Sequence, residues 1–248
     1  MFEVKGLGKF DDSDLCFSTK YDMIYKYLKI RQEWDPEIQE AFKKYGDKNM
    51  NAIDCGAHIG IHSVCLSKYY QQVYAFEPNP ISCLRLTKNL ALNDIKNVQV
   101  YPIGLSDNEG LTSIAWHLDV NTGDCGLNDN PQGITQYSDI DPTKSTICGF
   151  PVYLKTIDDL NLHNIKMMKV DVEGYEYRVI KGAIRTIFRE KPIIVIESWK
   201  GHGCQVLDIN DTSDNVINYI KSLGYKVESI GMTPHKRSSD FICIPNPQ

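Results

Sequence analysis

Residues 51–78 carry the chemistry most legible in this chain: an apolar strand ending in an acid, a glycine turn opening a helix, and a second strand ending in another acid. The first part is Asn51-Ala-Ile-Asp-Cys-Gly-Ala-His-Ile-Gly-Ile-His-Ser63, and the second is Val73-Tyr-Ala-Phe-Glu-Pro78. Gly56 and Gly60 let the backbone approach a ligand, and the helix starting near Ile59 aims its positive end at the turn. Glu77 follows Gly56 by roughly the 20 residues at which an acid on the neighbouring strand tip reaches a ribose diol. The ligand is therefore expected to carry a ribose. A dinucleotide fingerprint needs a middle glycine to admit the pyrophosphate, and His58 occupies that position, which weighs against a nicotinamide dehydrogenase. Asp54 would repel phosphate but suits the ammonium of S-adenosylmethionine, whose sulfonium and amino groups are both cationic. The turn reads as a methyl-donor site.

Several ordered blocks carry a family resemblance. Asp54-Cys-Gly-Ala-His-Ile-Gly60, Phe76-Glu-Pro78, Gly104-Leu-Ser106, Leu154-Lys-Thr-Ile-Asp-Asp-Leu160 and above all Lys169-Val-Asp-Val-Glu-Gly-Tyr-Glu176 resemble the FkbM family of S-adenosylmethionine-dependent O-methyltransferases. Glu33-Trp-Asp-Pro-Glu37 and Asp240-Phe-Ile-Cys-Ile-Pro245 are similar to that family's flanks, so the likeness runs from about Tyr21 onward. The resemblance implies an α/β, Rossmann-like class I methyltransferase fold: a mostly parallel seven-stranded sheet, helices on both faces, and an antiparallel last strand. It also implies an acceptor hydroxyl on a sugar or a secondary metabolite.

An alcohol displaces poorly at a methyl carbon while it keeps its proton, so the site needs a base or a metal beside the acceptor oxygen, together with in-line positioning. Ligands of an open parallel sheet sit beyond the carboxyl ends of its strands. Asp171 and Glu173 lie at one such end, before Gly174, and Glu197 lies at the next. Two mechanisms use these acids. In one, Asp171, Glu197 or His202 removes the proton, His202 being favoured by its accessible pKa. In the other, which is preferred, Asp171 and Glu197 hold Mg²⁺ or Mn²⁺, which binds a sugar diol and lowers the acceptor's pKa; some sugar O-methyltransferases of related fold place metal carboxylates at these strand ends. Lys169 joins the catalytic set, with pairing to Asp171 or Glu197 as its other reading. Glu173 and Glu176 also suit capping of the helix that follows.

The cofactor set expected is Asp54, Gly56, Ala57, His58, Gly60, Ser63, Glu77, Pro78, Asn79, Ser106 and Asp107. Ser63 is expected to donate to the donor's carboxylate or to pack, and Asp107 stands at the third strand end, where this fold class contacts adenine. His58 and His62 flank the turn as cofactor neighbours or solvated helix-start residues. Tyr175 and Trp199 either stack on a sugar or finish the core. Asn121 and Gly123 resemble an Asn-x-Gly element of the family.

Strands are expected at Ala52 to Cys55, Val73 to Phe76, Val98 to Ile103, Met167 to Val172 and Ile193 to Ile196. Helices are expected near His62 to Tyr69, Ile81 to Leu92, Tyr177 to Phe188 and Asn215 to Leu223. That alternation builds a parallel α/β sheet, with Tyr225 to Ile230 and Phe241 to Ile244 closing one edge. Tyr21 to Tyr45 reads as one or two helices broken at Pro36. Residues 1–45 thus form a helical extension packing on a methyltransferase domain of residues 46–248, with three roles open to it: a lid, a homodimer contact, or cover for the sheet. Residues 121–149, rich in Gly, Asn, Asp, Pro and Ser, are too long for a routine connection and suit either acceptor recognition or a surface excursion.

The 248 residues, 42% of them apolar, suffice for one sizeable core. A net charge of −5 without a basic stripe argues against nucleic acid as substrate. The chain shows neither a secretion signal nor a run of membrane-spanning length, so a soluble cytoplasmic protein is expected. Eight cysteines without a C-x-x-C pair read as reduced packing residues. The expected activity is methyl transfer from S-adenosylmethionine to a hydroxyl of a deoxyhexose, such as rhamnose or fucose, in a glycan or glycosylated metabolite. The alternatives are a non-sugar hydroxylated metabolite as acceptor, or a donor-binding module without catalysis.

Overall fold

A computed structural model describes residues 1–12, 23–117, 126–128, 147–199, 213–232 and 238–247. In chain order its elements are β1 (Phe2–Val4), β2 (Gly8–Phe10), α1 (Met23–Arg31), α2 (Pro36–Lys44), β3 (Asn51–Cys55), α3 (Ile61–Leu66), β4 (Val73–Phe76), α4 (Pro80–Leu92), β5 (Val98–Tyr101) and β6 (Gly104–Leu105). There follow β7 (Gly110–His117), β8 (Gly126–Asn128), β9 (Ile147–Lys155), β10 (Ile165–Val170), α5 (Glu176–Lys181), α6 (Ile184–Glu190), β11 (Ile193–Trp199), α7 (Ser213–Ser222), β12 (Tyr225–Met232) and β13 (Ser238–Pro245).

The main sheet has seven strands in the order β12-β13-β11-β10-β3-β4-β5. Pairing is parallel from β11 through β5, whereas β13 runs antiparallel to both β11 and β12. Every residue of β3 is buried, as suits a parallel strand covered on both faces. Because side chains alternate along a strand, neighbouring residues enter different cores. Ala52, Met167 and Val195 join one with Val64, Leu86 and Leu90, while Ile53, Met168 and Ile194 join another with Val179, Ile187 and Ile220. The chain leaves β3 toward β4 and β5, then returns to place β10 on the other side of β3. That reversal opens a crevice beyond the carboxyl ends of β3 and β10, where open α/β sheets take their ligands.

The first core also receives Val4, Leu7, Phe10, Leu28, Ile38 and Phe42 from the amino-terminal segment. This segment holds a β1–β2 hairpin as well as the two helices, and Pro36 starts α2 instead of interrupting a helix. Asn93 fastens the hairpin to α4, its Oδ1 accepting from the Lys9 N–H and its Nδ2 donating to the Lys9 carbonyl. Asp11 adds a 2.7 Å ion pair with Lys88.

Two expectations are corrected. The single helix from Tyr177 to Phe188 is two, α5 and α6, because Asp158 reaches across the break. Its backbone N–H donates to the Gly182 carbonyl, and its carboxylate accepts from the N–H groups of Arg185 and Thr186 at 2.9 and 2.7 Å. A second sheet, β6-β9-β7-β8, was not expected. Its main pair, β7 with β9, joins residues 30 to 44 apart in sequence, so no turn signal announces it. Among the described residues, Cys55, Cys65, Cys83 and Cys243 are free and buried, and no helix is long and apolar enough to cross a membrane.

Replacing Asp158 by Ala removes a carboxylate cap from two helix-start donors, the N–H groups of Arg185 and Thr186. Urea denaturation should show a loss of about 1–2 kcal/mol.

Candidate active site

The glycine turn after β3 is shaped by left-handed backbone at Gly56 (φ 78), His58 (φ 48) and Gly60 (φ 91). A Cβ on Gly56 would lie 1.8 Å from the Asp171 carbonyl oxygen, so only glycine lets the loops after β3 and β10 touch. The N–H groups of Gly56 and Ala57 both donate to the Phe76 carbonyl at 2.9 Å, tying the turn to the end of β4. Glu77 continues that tie. One of its oxygens accepts from His58 N–H and the other from Asn79 N–H, both at 2.8 Å. Burial raises its carboxyl to about 7 in spite of those two donors. A carboxylate has about four acceptor positions, so each oxygen keeps one for a further donor. Asn79 caps α4 by accepting from the Ile81 N–H at 2.9 Å, and Pro78 beside it is half-buried.

Lys169 stands at the centre of the crevice, 3% exposed. Its ammonium donates to the Gly56 carbonyl at 2.9 Å and lies 3.1 Å from Asp171 Oδ2 and 3.5 Å from Asp54 Oδ1. Burial opposes its charge, but Asp171 and Asp54 more than compensate and hold its pKa above the ordinary lysine value. The other oxygen of Asp54 accepts from Ser63 Oγ at 2.6 Å, and both residues are fully buried. The structure therefore turns Asp54 and Ser63 toward Lys169 and each other, where the sequence placed them on the ammonium and carboxylate of the donor.

Asp171 is the exposed end of this network. Burial alone would raise its pKa, yet the charge of Lys169, a hydrogen bond with Glu197 and the charge of His62 hold it below the ordinary carboxylate value. Glu197 faces Asp240 across the β11–β13 pair. Burial, with the charges of Asp35 and Asp171 adding to it, raises the Asp240 carboxyl to about 7. Asp35 precedes α2 in left-handed backbone (φ 38), and its Oδ2 lies 3.4 Å from His62 Nε2. Sequence reasoning missed Asp35 and Asp240 as site residues and left His62 as a neighbour of the turn. The signal available was an acid before Pro36 and another opening an apolar final strand; nothing in residues 35, 62 and 240 announces that they meet.

In the turn after β10, Glu173 (φ 53) and Gly174 (φ 99) are both left-handed. Glu176 Oε1 accepts from the N–H groups of Val172 and Gly174 at 3.0 and 3.2 Å, and burial raises its carboxyl to about 7. Glu176 thus holds the turn that presents Asp171, and Glu173 beside it is half-buried. Tyr175 packs with Ile114, Val152 and Leu154 in a small core of its own. Ser106 Oγ donates to Asp107 Oδ1 at 3.3 Å, and Asp107 pairs with Lys181 at 3.6 Å, so this loop leans on α5. His202, Asn121, Gly123 and most of residues 121–149 lie outside the described residues.

A seven-stranded sheet with one antiparallel strand inserted near its edge, and a glycine turn plus neighbouring acid at its switch point, defines a Rossmann-like methyltransferase fold. The chain belongs to the methyltransferase FkbM domain family, whose model matches residues 54–227. It is 27% identical to the methyltransferase sdnD of Sordaria araneosa over 61% of this chain and 67% of that one. It is 30% identical to the hexuronic acid methyltransferase AglP of Haloferax volcanii over 57% of this chain and 53% of that one. The chain thus spans between about half and two thirds of these curated relatives. The solved structure of a methyltransferase FkbM from Methylobacillus flagellatus KT superposes with a TM-score of 0.53 at 19% identity, covering 83% of this chain and 50% of that one, and so shares the fold.

Lys169→Met would leave Asp54 and Asp171 uncompensated. The expected loss is about 3–5 kcal/mol, as denaturant midpoints will report.

Proposed function

We propose that the protein is an S-adenosylmethionine-dependent O-methyltransferase acting on a hydroxyl of a sugar, a deoxyhexose of a glycan or glycosylated metabolite being the acceptor class expected. The observation that carries this reading is Glu77, buried at the tip of β4 with one acceptor position left on each oxygen and its orientation set by two backbone donors. Two adjacent acceptor positions match a ribose diol, and the close approach of the Gly56 turn to Asp171 leaves no bulk between the two strand ends. An ionised Asp171 suits a cationic donor and disfavours a pyrophosphate. Bound there, S-adenosylmethionine supplies an electrophilic methyl carbon. Gly56, Ala57, His58, Gly60 and Pro78 shape the donor turn, and Ser106 and Asp107 stand at the adenine end.

Asp171 would then orient the acceptor hydroxyl and take its proton as the methyl group passes from the donor's sulfur to that oxygen, leaving S-adenosylhomocysteine. Lys169 keeps that carboxylate charged and aimed, Glu197 shares a hydrogen bond with it, and Glu173 lines the turn beside it. The residues present do not fit a divalent ion between Asp171 and Glu197. The Lys169 ammonium already stands 3.1 Å from Asp171, the two carboxyls are bonded to each other, and among the described residues no group of three or more His, Cys, Asp or Glu is placed to hold a metal. A sugar acceptor is supported by the name of the Haloferax relative and by the number of carboxyl groups able to accept from hydroxyls. The division into residues 1–45 and 46–248 belongs to the same proposal, the first segment contributing Asp35.

Ribose hydroxyls donating to Glu77 would favour its charged form, so donor binding should release a proton near neutral pH. With the free carboxyl titrating at about 7, S-adenosylhomocysteine should bind about tenfold more weakly at pH 6 than at pH 8. Calorimetry in buffers of different ionisation enthalpy measures both effects. Binding independent of pH, with no proton released, would leave Glu77 a purely structural role.

Labelled methyl transfer to rhamnosides, fucosides and other hexosides tests the reaction itself. Transfer should survive EDTA, and Asp171→Asn should lower it by about 10²-fold or more with S-adenosylhomocysteine binding retained. Transfer abolished by EDTA would restore the metal route. No transfer to any sugar would point to a non-sugar hydroxylated acceptor or to a binding module.

A further inference from the structure

The methyl-transfer chemistry uses Asp171 and Glu197 but leaves the wall beside them without a task. Asp35 comes from the amino-terminal segment, His62 from α3 and Asp240 from β13, and all three lie at the carboxyl end of the parallel strands. The His62 side chain is only 7% exposed, with its ring edge-on to Phe42 at 5.7 Å, yet among the described residues its Nε2 has no hydrogen-bond partner. The nearest oxygen, Asp35 Oδ2, lies 3.4 Å away in an orientation that makes no hydrogen bond. A buried imidazole nitrogen left unsatisfied costs about 1–3 kcal/mol unless a ligand completes it. Asp35 is itself held in left-handed backbone, a strain that persists where the surroundings demand it. Asp240 stands opposite Glu197 in the β11–β13 pair, at the strand end where Asp171 lies, and it feels the charges of Asp35, Asp171, His62 and Lys169.

The chemistry of that wall selects its occupant. A hydroxyl both donates and accepts, so one placed between His62 Nε2 and Asp35 Oδ2 satisfies both atoms. A second hydroxyl on the adjacent carbon can meet Asp240. An anionic group would face Asp35 and Asp171 and be repelled.

We propose that Asp35, His62 and Asp240 form a hydroxyl-binding subsite that holds the neighbouring hydroxyls of a neutral polyol acceptor, so that the segment ahead of α2 helps to set acceptor specificity. This rests on the methyl-transfer reading and adds to it that uronates and other carboxylate-bearing acceptors are disfavoured, so that the acceptor differs from the hexuronic acid in the name of the Haloferax relative.

The test uses the full chain saturated with S-adenosylhomocysteine and reads the histidine ring signals by NMR, with the His62 signal assigned through His62→Gln. The probes are methyl glycosides of neutral hexoses and deoxyhexoses, with a methyl glucuronide as the charged comparison. The His62 signal should shift as a neutral glycoside is added, and the glucuronide should bind about tenfold more weakly or worse. Asp35→Asn should weaken the neutral glycoside by about tenfold while leaving S-adenosylhomocysteine affinity unchanged. Asn tolerates left-handed backbone well, so the turn should survive that change. No His62 shift with any neutral glycoside, or a glucuronide that binds as tightly, overturns the subsite and leaves the donor reading standing. Failure of the wild-type chain to bind S-adenosylhomocysteine overturns the donor reading and the subsite with it.

Discussion

A buried ammonium has to be neutralised where it stands, and Lys169 is neutralised by carboxylates from two adjacent strands. At an effective dielectric of about 20, each contact with Asp54 and Asp171 is worth about 5 kcal/mol before desolvation, a cost of several kcal/mol per ion. The Gly56 carbonyl supplies a third partner at 2.9 Å. The arrangement draws β3 and β10 together at their carboxyl ends, fixes where the glycine turn begins and leaves one carboxylate, Asp171, facing outward. An apolar residue at 169 would pack as well but would strand both acids. Lysine here contributes placement more than stability.

From that pin the two sides proposed for donor and acceptor follow by different means. On the donor side, backbone does most of the work. Gly56 admits the Asp171 carbonyl, the Phe76 carbonyl takes two turn N–H groups, and Glu77 takes two more. The result is a stiff cradle whose remaining hydrogen-bonding capacity lies on a single carboxyl group. On the acceptor side, side chains from separate elements converge: Asp171, Glu197, Asp240, His62 and Asp35. Burial pushes Asp240 up to about 7, while the charge of Lys169 holds Asp171 below the ordinary carboxylate value.

The amino-terminal segment takes part in this arrangement. Its apolar residues complete the core on one face of the sheet, and Asn93 docks its hairpin through backbone groups of Lys9. Packing of Phe42 against His62 sets the position of the turn that carries Asp35.

The donor turn was legible in the chain because its determinants are local. Glycines, an acid at each strand tip and a strand–turn–helix period lie within residues 51–78, and the parallel strands announced themselves as apolar runs. The acids after β10 and β11 were legible for the same reason, as was the pairing of Lys169 with Asp171 as one of its two readings. Tertiary structure alone decided the partners. Asp54 turned inward because Lys169 crosses from the next strand, and Ser63 followed because a buried carboxylate needs a second donor. The expected helix from Tyr177 to Phe188 broke because Asp158, some 27 residues from the capped N–H groups, reached its middle. The β7–β9 sheet and the meeting of Asp35, His62 and Asp240 stayed hidden, since pairings across 30 to 200 residues leave no period and no turn residue to read. Sequence by itself determined the fold class and the residues able to do chemistry. Which of those residues face one another was settled only when burial forced each charge to find its counterpart.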